Sequence, residues 1–68
     1  MNKIDFTFRD EGSLVLLDAR SAAARAWVRG HLPDDRTTWG PHGTAVEPRY
    51  FLPVAHAIID EGYTLKQL

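Results

Sequence analysis

Sixty-eight residues allow one domain, residues 1–68, and at that size a single sheet with one or two helices is about the limit of a self-supporting core, which leaves no room for a deep enzymatic cleft. The chain has no cysteine, so neither a disulfide nor a thiolate metal site can supplement packing, and eight Lys and Arg against nine Asp and Glu leave a net charge of −1, which argues against a general affinity for the nucleic-acid backbone. A hydrophobic share of 44% with 25% charged residues is that of an ordinary folding domain, and with no secretory apolar run behind Lys3 and no stretch of about 18 apolar residues, the expected location is the cytoplasm.

Ile4, Phe6 and Phe8 alternate with Lys3, Asp5, Thr7 and Arg9, the period of a strand with one face buried and one wet. "SLVLLD" then places four apolar residues in a row, Leu14 to Leu17, which reads as a strand covered on both sides or lying centrally in a sheet. The intervening "DEG" predicts a three-residue hairpin loop with Gly12 in the left-handed region. From Ser21, a suitable N-cap, Ala24, Trp27, Val28 and His31 or Leu32 recur at helical steps, with Arg25 and Arg29 on another face. Gly30 and Pro33 predict a helix over 21–31.

"HLPDDRTTWGPHG", residues 31–43, is built of turn residues, with Pro41 in the second position of a tight turn. A short strand over 44–47 follows. Phe51, Ala55, Ile58 and Ile59 are spaced as a helix, and because proline cannot donate inside one, the reading is a turn over 49–52 and a helix over 53–61, closed by Gly62 as a left-handed cap. Residues 63–65 alternate again as a last strand. The order β-β-α-β-α-β makes a small two-layer α+β domain, a sheet with two helices on one face.

Chemistry has few places to sit. His31, His42 and His56 stand in no metal-binding spacing, and are explained by a helix end, a turn and a helix position four before Asp60. Ser13 and Ser21 adjoin a turn and a cap, and the carboxylates Asp34 and Asp35 are neighbours in one loop, a poor arrangement for dividing acid and base roles. Neither a catalytic residue, a metal nor a cofactor is implied. Arg20, Arg25, Arg29 and Arg36 form a basic stripe, which is either a solvated helix face or a small nucleic-acid-binding surface. Three acidic doublets, Asp10–Glu11, Asp34–Asp35 and Asp60–Glu61, stand at chain reversals with Glu47 in addition. They are either solubilising turns or, if the fold gathers them, a patch for a basic partner surface. Trp39 is either an anchor for a partner or a plug at the edge of the core, and a domain this small favours the plug; Tyr50 and Phe51 carry the same ambiguity.

The succession "GSLVLLDARSAAARAWVRGHL", "WGPHGTAVEPRYF" and "IIDEGYTL" resembles small proteins carried by bacteriophages, plasmids and other mobile elements of Proteobacteria, and within them is similar to small anti-CRISPR proteins directed at type I-C systems. The likeness covers most of the chain and contains no catalytic signature. It implies a non-enzymatic inhibitor that binds the RNA-guided surveillance complex and keeps it from its DNA target. The expectation for partners is a protein, with no membrane and no direct nucleic-acid contact, and for the chain itself a monomer or weak homodimer. The residues that would meet the partner are then Asp10, Glu11, Asp34, Asp35, Trp39, Glu47, Asp60 and Glu61. The near-neutral net charge departs from strongly acidic DNA mimics and confines any such effect to a local patch. The runner-up is an accessory protein of a mobile element with another protein partner.

Overall fold

A computed structural model describes residues 4–68; Lys3, part of the alternation at the start of the chain, lies outside the described residues. Five strands and two helices follow one another as β1 (Phe6–Asp10), β2 (Val15–Ala19), α1 (Ala22–His31), β3 (Thr38–Trp39), β4 (Gly43–Val46), α2 (Pro48–Asp60) and β5 (Leu65–Gln67). The strands form one sheet in the order β3-β4-β2-β1-β5. β1 and β5 are parallel and every other pairing is antiparallel. The predicted α+β architecture is therefore present, with one strand more than the sequence pattern predicts: the two residues of β3 are too few to show a period.

Alternation along the strands decides which face is covered. Phe6, Val15, Leu17, Ala19, Thr44 and Val46 are buried on one face, where Phe6 meets Trp27 of α1 and Phe8 meets Phe51 of α2. Both helices thus lie on the same side. Of the two readings of Leu14–Leu17 the central one holds, since β2 lies between β4 and β1, whereas cover on both sides does not: Val15 and Leu17 are buried, Leu16 is half-buried on the opposite face, and Leu14 is exposed beside the turn. Among the described residues no second layer of helices covers that face, so an unbroken apolar run here still reads out as one-sided burial.

The first hairpin is tighter than predicted. Gly12 has φ +85°, as its place in "DEG" requires, but Glu11 N–H already donates to Leu14 O at 2.8 Å, leaving only Gly12 and Ser13 between them. Gly12 N–H is held by an Asp10 carboxylate oxygen at 2.8 Å, an Asx-type closure of the turn. Ser21 caps α1 as predicted, its Oγ accepting from Ala24 N–H at 3.1 Å and donating to Asp5 at 2.7 Å. Gly62, φ +89°, ends α2: Gly62 N–H bonds Ile59 O and Tyr63 N–H bonds Ile58 O, the paired closure of a Schellman motif.

Two boundaries shift. The third predicted strand, 44–47, is β4 at Gly43–Val46, and Glu47 is instead the extended N-cap residue of α2, as expected of a residue preceding proline. The last strand, placed by the pattern at 63–65, is β5 at Leu65–Gln67, because Tyr63 is used to close α2 and Thr64 O receives Phe6 N–H. The second helix is corrected more substantially: it does not begin at Pro53 after a turn but runs from Pro48, with Pro53 inside it. Starting at Pro48 puts Phe51 on the same stripe as Ala55 and Ile58, all three buried, and Phe51 against Phe8 with ring centroids 4.7 Å apart. Burying a phenylalanine gives a few kcal/mol, about 3, and offsets the hydrogen bond that Pro53 cannot make.

Because Pro53 is exposed and interior to α2, Pro53→Ala restores the missing donor and raises stability by roughly 1–3 kcal/mol in urea denaturation. A helix that began at Pro53 would be destabilised by the same change.

Candidate functional site

The sheet orders the candidate residues by their height along the strands. β1 runs from Phe6, level with Ala19 and Leu65, to Asp10, level with Val15, which in turn pairs with Val46. Asp10 and Glu11 therefore stand with Glu47 along one rim of the sheet. Asp60 and Glu61 end α2 at the opposite rim, where Thr64 O meets Phe6 N–H and Glu61 meets Trp27. The two rims are separated along β1 by about 13 Å, four residues of strand rise. Asp34 and Asp35 are exposed in the loop between α1 and β3. The three doublets do not gather in one place: Asp10–Glu11 shares a rim with Glu47, and Asp60–Glu61 stands at the other rim.

The acids also differ in what already holds them. Among the described residues the ion pairs are Asp18–Arg20 at 3.1 Å, Glu47–Arg49 at 3.1 Å and His31–Glu61 at 3.5 Å, and none of them engages Asp10 or Glu11. Glu61 has structural work. It accepts from Trp27 Nε1 and faces His31 Nε2, while the His31 ring stacks on Trp27 at 4.4 Å and its Nδ1 lies 2.9 Å from Trp27 O. Trp27 in turn packs edge-on to Phe6, which meets Tyr63 in the same way. The Glu61 carboxylate thus ties the end of α1 to the end of α2 over the most buried part of the core. His31, not His56, is the histidine that meets an acid.

Trp39 is the clearest departure from expectation. It is 64% exposed, so it does not plug the core; of the neighbouring aromatics, Phe51 is buried and Tyr50 is 53% exposed. Its position follows from Gly40–Pro41–His42, which turns the chain between β3 and β4, with Gly40 at φ +64°. Trp39 pairs with Gly43, and a Cβ on Gly43 would lie 2.2 Å from Trp39 O. Glycine is what lets the Trp39 backbone fold over β4. Gly43 in turn pairs with Asp18, and Asp18 with Thr7, so the indole projects on the uncovered face of the sheet.

A concavity of about 560 Å³ lies on that face beside Trp39, and Arg9, Leu16, Asp18, Arg20 and Arg25 line it. A second, of about 290 Å³, lies on the other side of the β3–β4 hairpin and takes Arg25, Arg29 and Arg36. The four arginines of the helical stripe are therefore divided between two hollows that share Arg25. Arg9 contributes to the first and was hidden in sequence as one polar position of an alternating strand. Among the described residues no three His, Asp or Glu side chains are placed to hold a metal ion, and no helix is long and apolar enough to cross a membrane.

No protein-family profile, no curated protein and no solved structure matches the chain.

Two measurements test these local arrangements. Glu61→Ala leaves the Trp27 N–H without its acceptor and lowers unfolding free energy by roughly 1–2 kcal/mol; in a Trp27→Phe background the same change costs less, and equal costs in the two backgrounds would show that the contact carries no energy. Gly43→Ala forces the Trp39 carbonyl off β4, lowering stability by about 1–3 kcal/mol and shifting Trp39 fluorescence.

Proposed function

We propose that this chain acts by binding, without chemistry of its own, as an inhibitor in the bacterial cytoplasm that docks on a type I-C CRISPR surveillance complex and keeps it from target DNA. The resemblance of its sequence to small anti-CRISPR proteins directs the choice of partner. The observation that carries the mode of contact is the rim formed by Asp10, Glu11 and Glu47, where β1, β2 and β4 come level. Asp10 and Glu11 are exposed and in no ion pair among the described residues. Carboxylates held in this way on the tip of a short hairpin can meet Lys and Arg side chains that otherwise grip DNA phosphates.

Asp60 and Glu61 serve this reading less well, since Glu61 is occupied with Trp27 and His31. Asp34 and Asp35 lie in the α1–β3 loop, outside the sheet. The contact is thus local, in keeping with a chain whose net charge is only −1.

Mixed with a purified type I-C surveillance complex, the chain is expected to co-migrate with it and to abolish its binding of target DNA. Reversing the two rim charges at the hairpin, Asp10→Lys with Glu11→Lys, weakens inhibition about tenfold or more, whereas Asp60→Lys at the other rim leaves it within about twofold. Absence of co-migration, with DNA binding undiminished, removes the reading and leaves the accessory protein with a different protein partner.

A further inference from the structure

The strand alternation that buries Phe6, Leu17 and Val46 sends a different set of side chains to the opposite face. In register across the sheet stand Trp39, Gly43, Asp18, Thr7 and Lys66, one from each strand. The next level holds Ala45, Leu16 and Arg9, and Arg20 and Arg25 close the end of the concavity. Leu65, the neighbour of Lys66, packs on the core, which places Lys66 on the uncovered face.

Four cations, Arg9, Arg20, Arg25 and Lys66, share this face with two carboxylates. Both carboxylates are engaged: Asp18 pairs with Arg20 at 3.1 Å, and Asp5 holds Ser21 and Thr64. Arg9 and Lys66 are exposed and in no ion pair among the described residues. The other seven acids of the chain lie at the two rims and in the α1–β3 loop, so a net charge of −1 conceals a cationic sheet face. At one end of that face Trp39 presents its indole, 64% exposed. From Trp39 to Lys66 the row crosses four strand spacings, about 19 Å.

We propose that this uncovered sheet face binds single-stranded nucleic acid, with a base stacked on Trp39 and phosphates on Arg9, Arg20, Arg25 and Lys66. Charge complementarity selects a polyanion, and the exposed indole selects one with free aromatic faces. Unpaired bases offer those faces, and a duplex hides them in its stack. An acidic polypeptide would satisfy the cations and leave the indole unused. The site goes beyond the rim reading and shares no residue with it.

The test uses the isolated chain with fluorescently labelled oligothymidylate at low salt, followed by anisotropy and by tryptophan emission. Saturable binding with quenched Trp39 emission is expected, weaker for the duplex and for polyglutamate. Trp39→Leu weakens it about tenfold, and Arg9→Gln with Lys66→Gln weakens it and reduces the slope against log salt by about two. Arg29→Gln with Arg36→Gln, in the other hollow, leaves it within about twofold. Circular dichroism of these surface variants shows that they fold. No binding, or duplex or polyglutamate binding as tightly without need of Trp39, overturns the proposal. So does binding carried by Arg29 and Arg36 in place of Arg9 and Lys66. Because no surveillance complex is present, failure here is distinct from failure of inhibition, and loss of inhibition on reversing Asp10 and Glu11 says nothing of this face.

Discussion

Two helices cover one face of a five-stranded sheet, and that one-sided cover is the constraint on which the rest of the molecule depends. A chain of 68 residues has enough apolar side chains for one layer of contact between helices and sheet, and no more. Phe6 stands at its centre, with no exposed surface and edge-on contacts to both Trp27 and Tyr63. Through them it joins β1 to α1 and to the closing turn of α2. The Glu61 carboxylate, held between Trp27 and His31, closes this cluster at the rim, so a charged residue of an acidic doublet is recruited to packing.

The same constraint creates the functional surfaces. A sheet face that no helix can reach must be made wettable, and here that is done with Arg9, Arg20, Lys66 and Asp18, together with a tryptophan lifted over β4 by Gly43. Most of the acids fall instead at the rims and in the α1–β3 loop, where chain reversals need polar residues. Charge is thus partly sorted by architecture: Arg9, Arg20 and Lys66 outnumber Asp18 across the sheet, and Asp10, Glu11, Glu47, Asp60 and Glu61 stand at its ends. Near-neutrality of the whole chain is compatible with two surfaces of opposite sign, each able to meet a different kind of partner.

Pro53 and Trp39 show where local reading and global packing part company. Seen locally, a proline marks the start of a helix; in the fold, the need to seat Phe51 against Phe8 extends α2 back to Pro48 and carries the proline inside. Seen by composition, a tryptophan in a small domain belongs to the core; in the fold, Phe6, Trp27, Phe51 and Tyr63 already fill it, and Trp39 is left outside. Both outcomes turn on how much core volume remains, a quantity that no single segment contains.

Sequence by itself determined the α+β class, the existence of the first strand with Phe6 and Phe8 toward the core, α1 with its Ser21 cap, the turn glycines at 12 and 62, and the helical stripe of Ala55 and Ile58. Each rests on a period or a local backbone preference that is complete within a few residues. It did not determine that Thr7 on the other face is buried and Ile4 exposed. Only the tertiary structure decided that β5 lies parallel beside β1, that two residues at 38–39 form a strand, and that Asp10–Glu11 and Asp60–Glu61 stand at opposite ends of the sheet. It alone brought Arg9, Arg20, Trp39 and Lys66 from four strands or their ends to one face. Such neighbours are fixed by strand order and register, which join residues tens of positions apart and leave no trace in the pattern of any one segment.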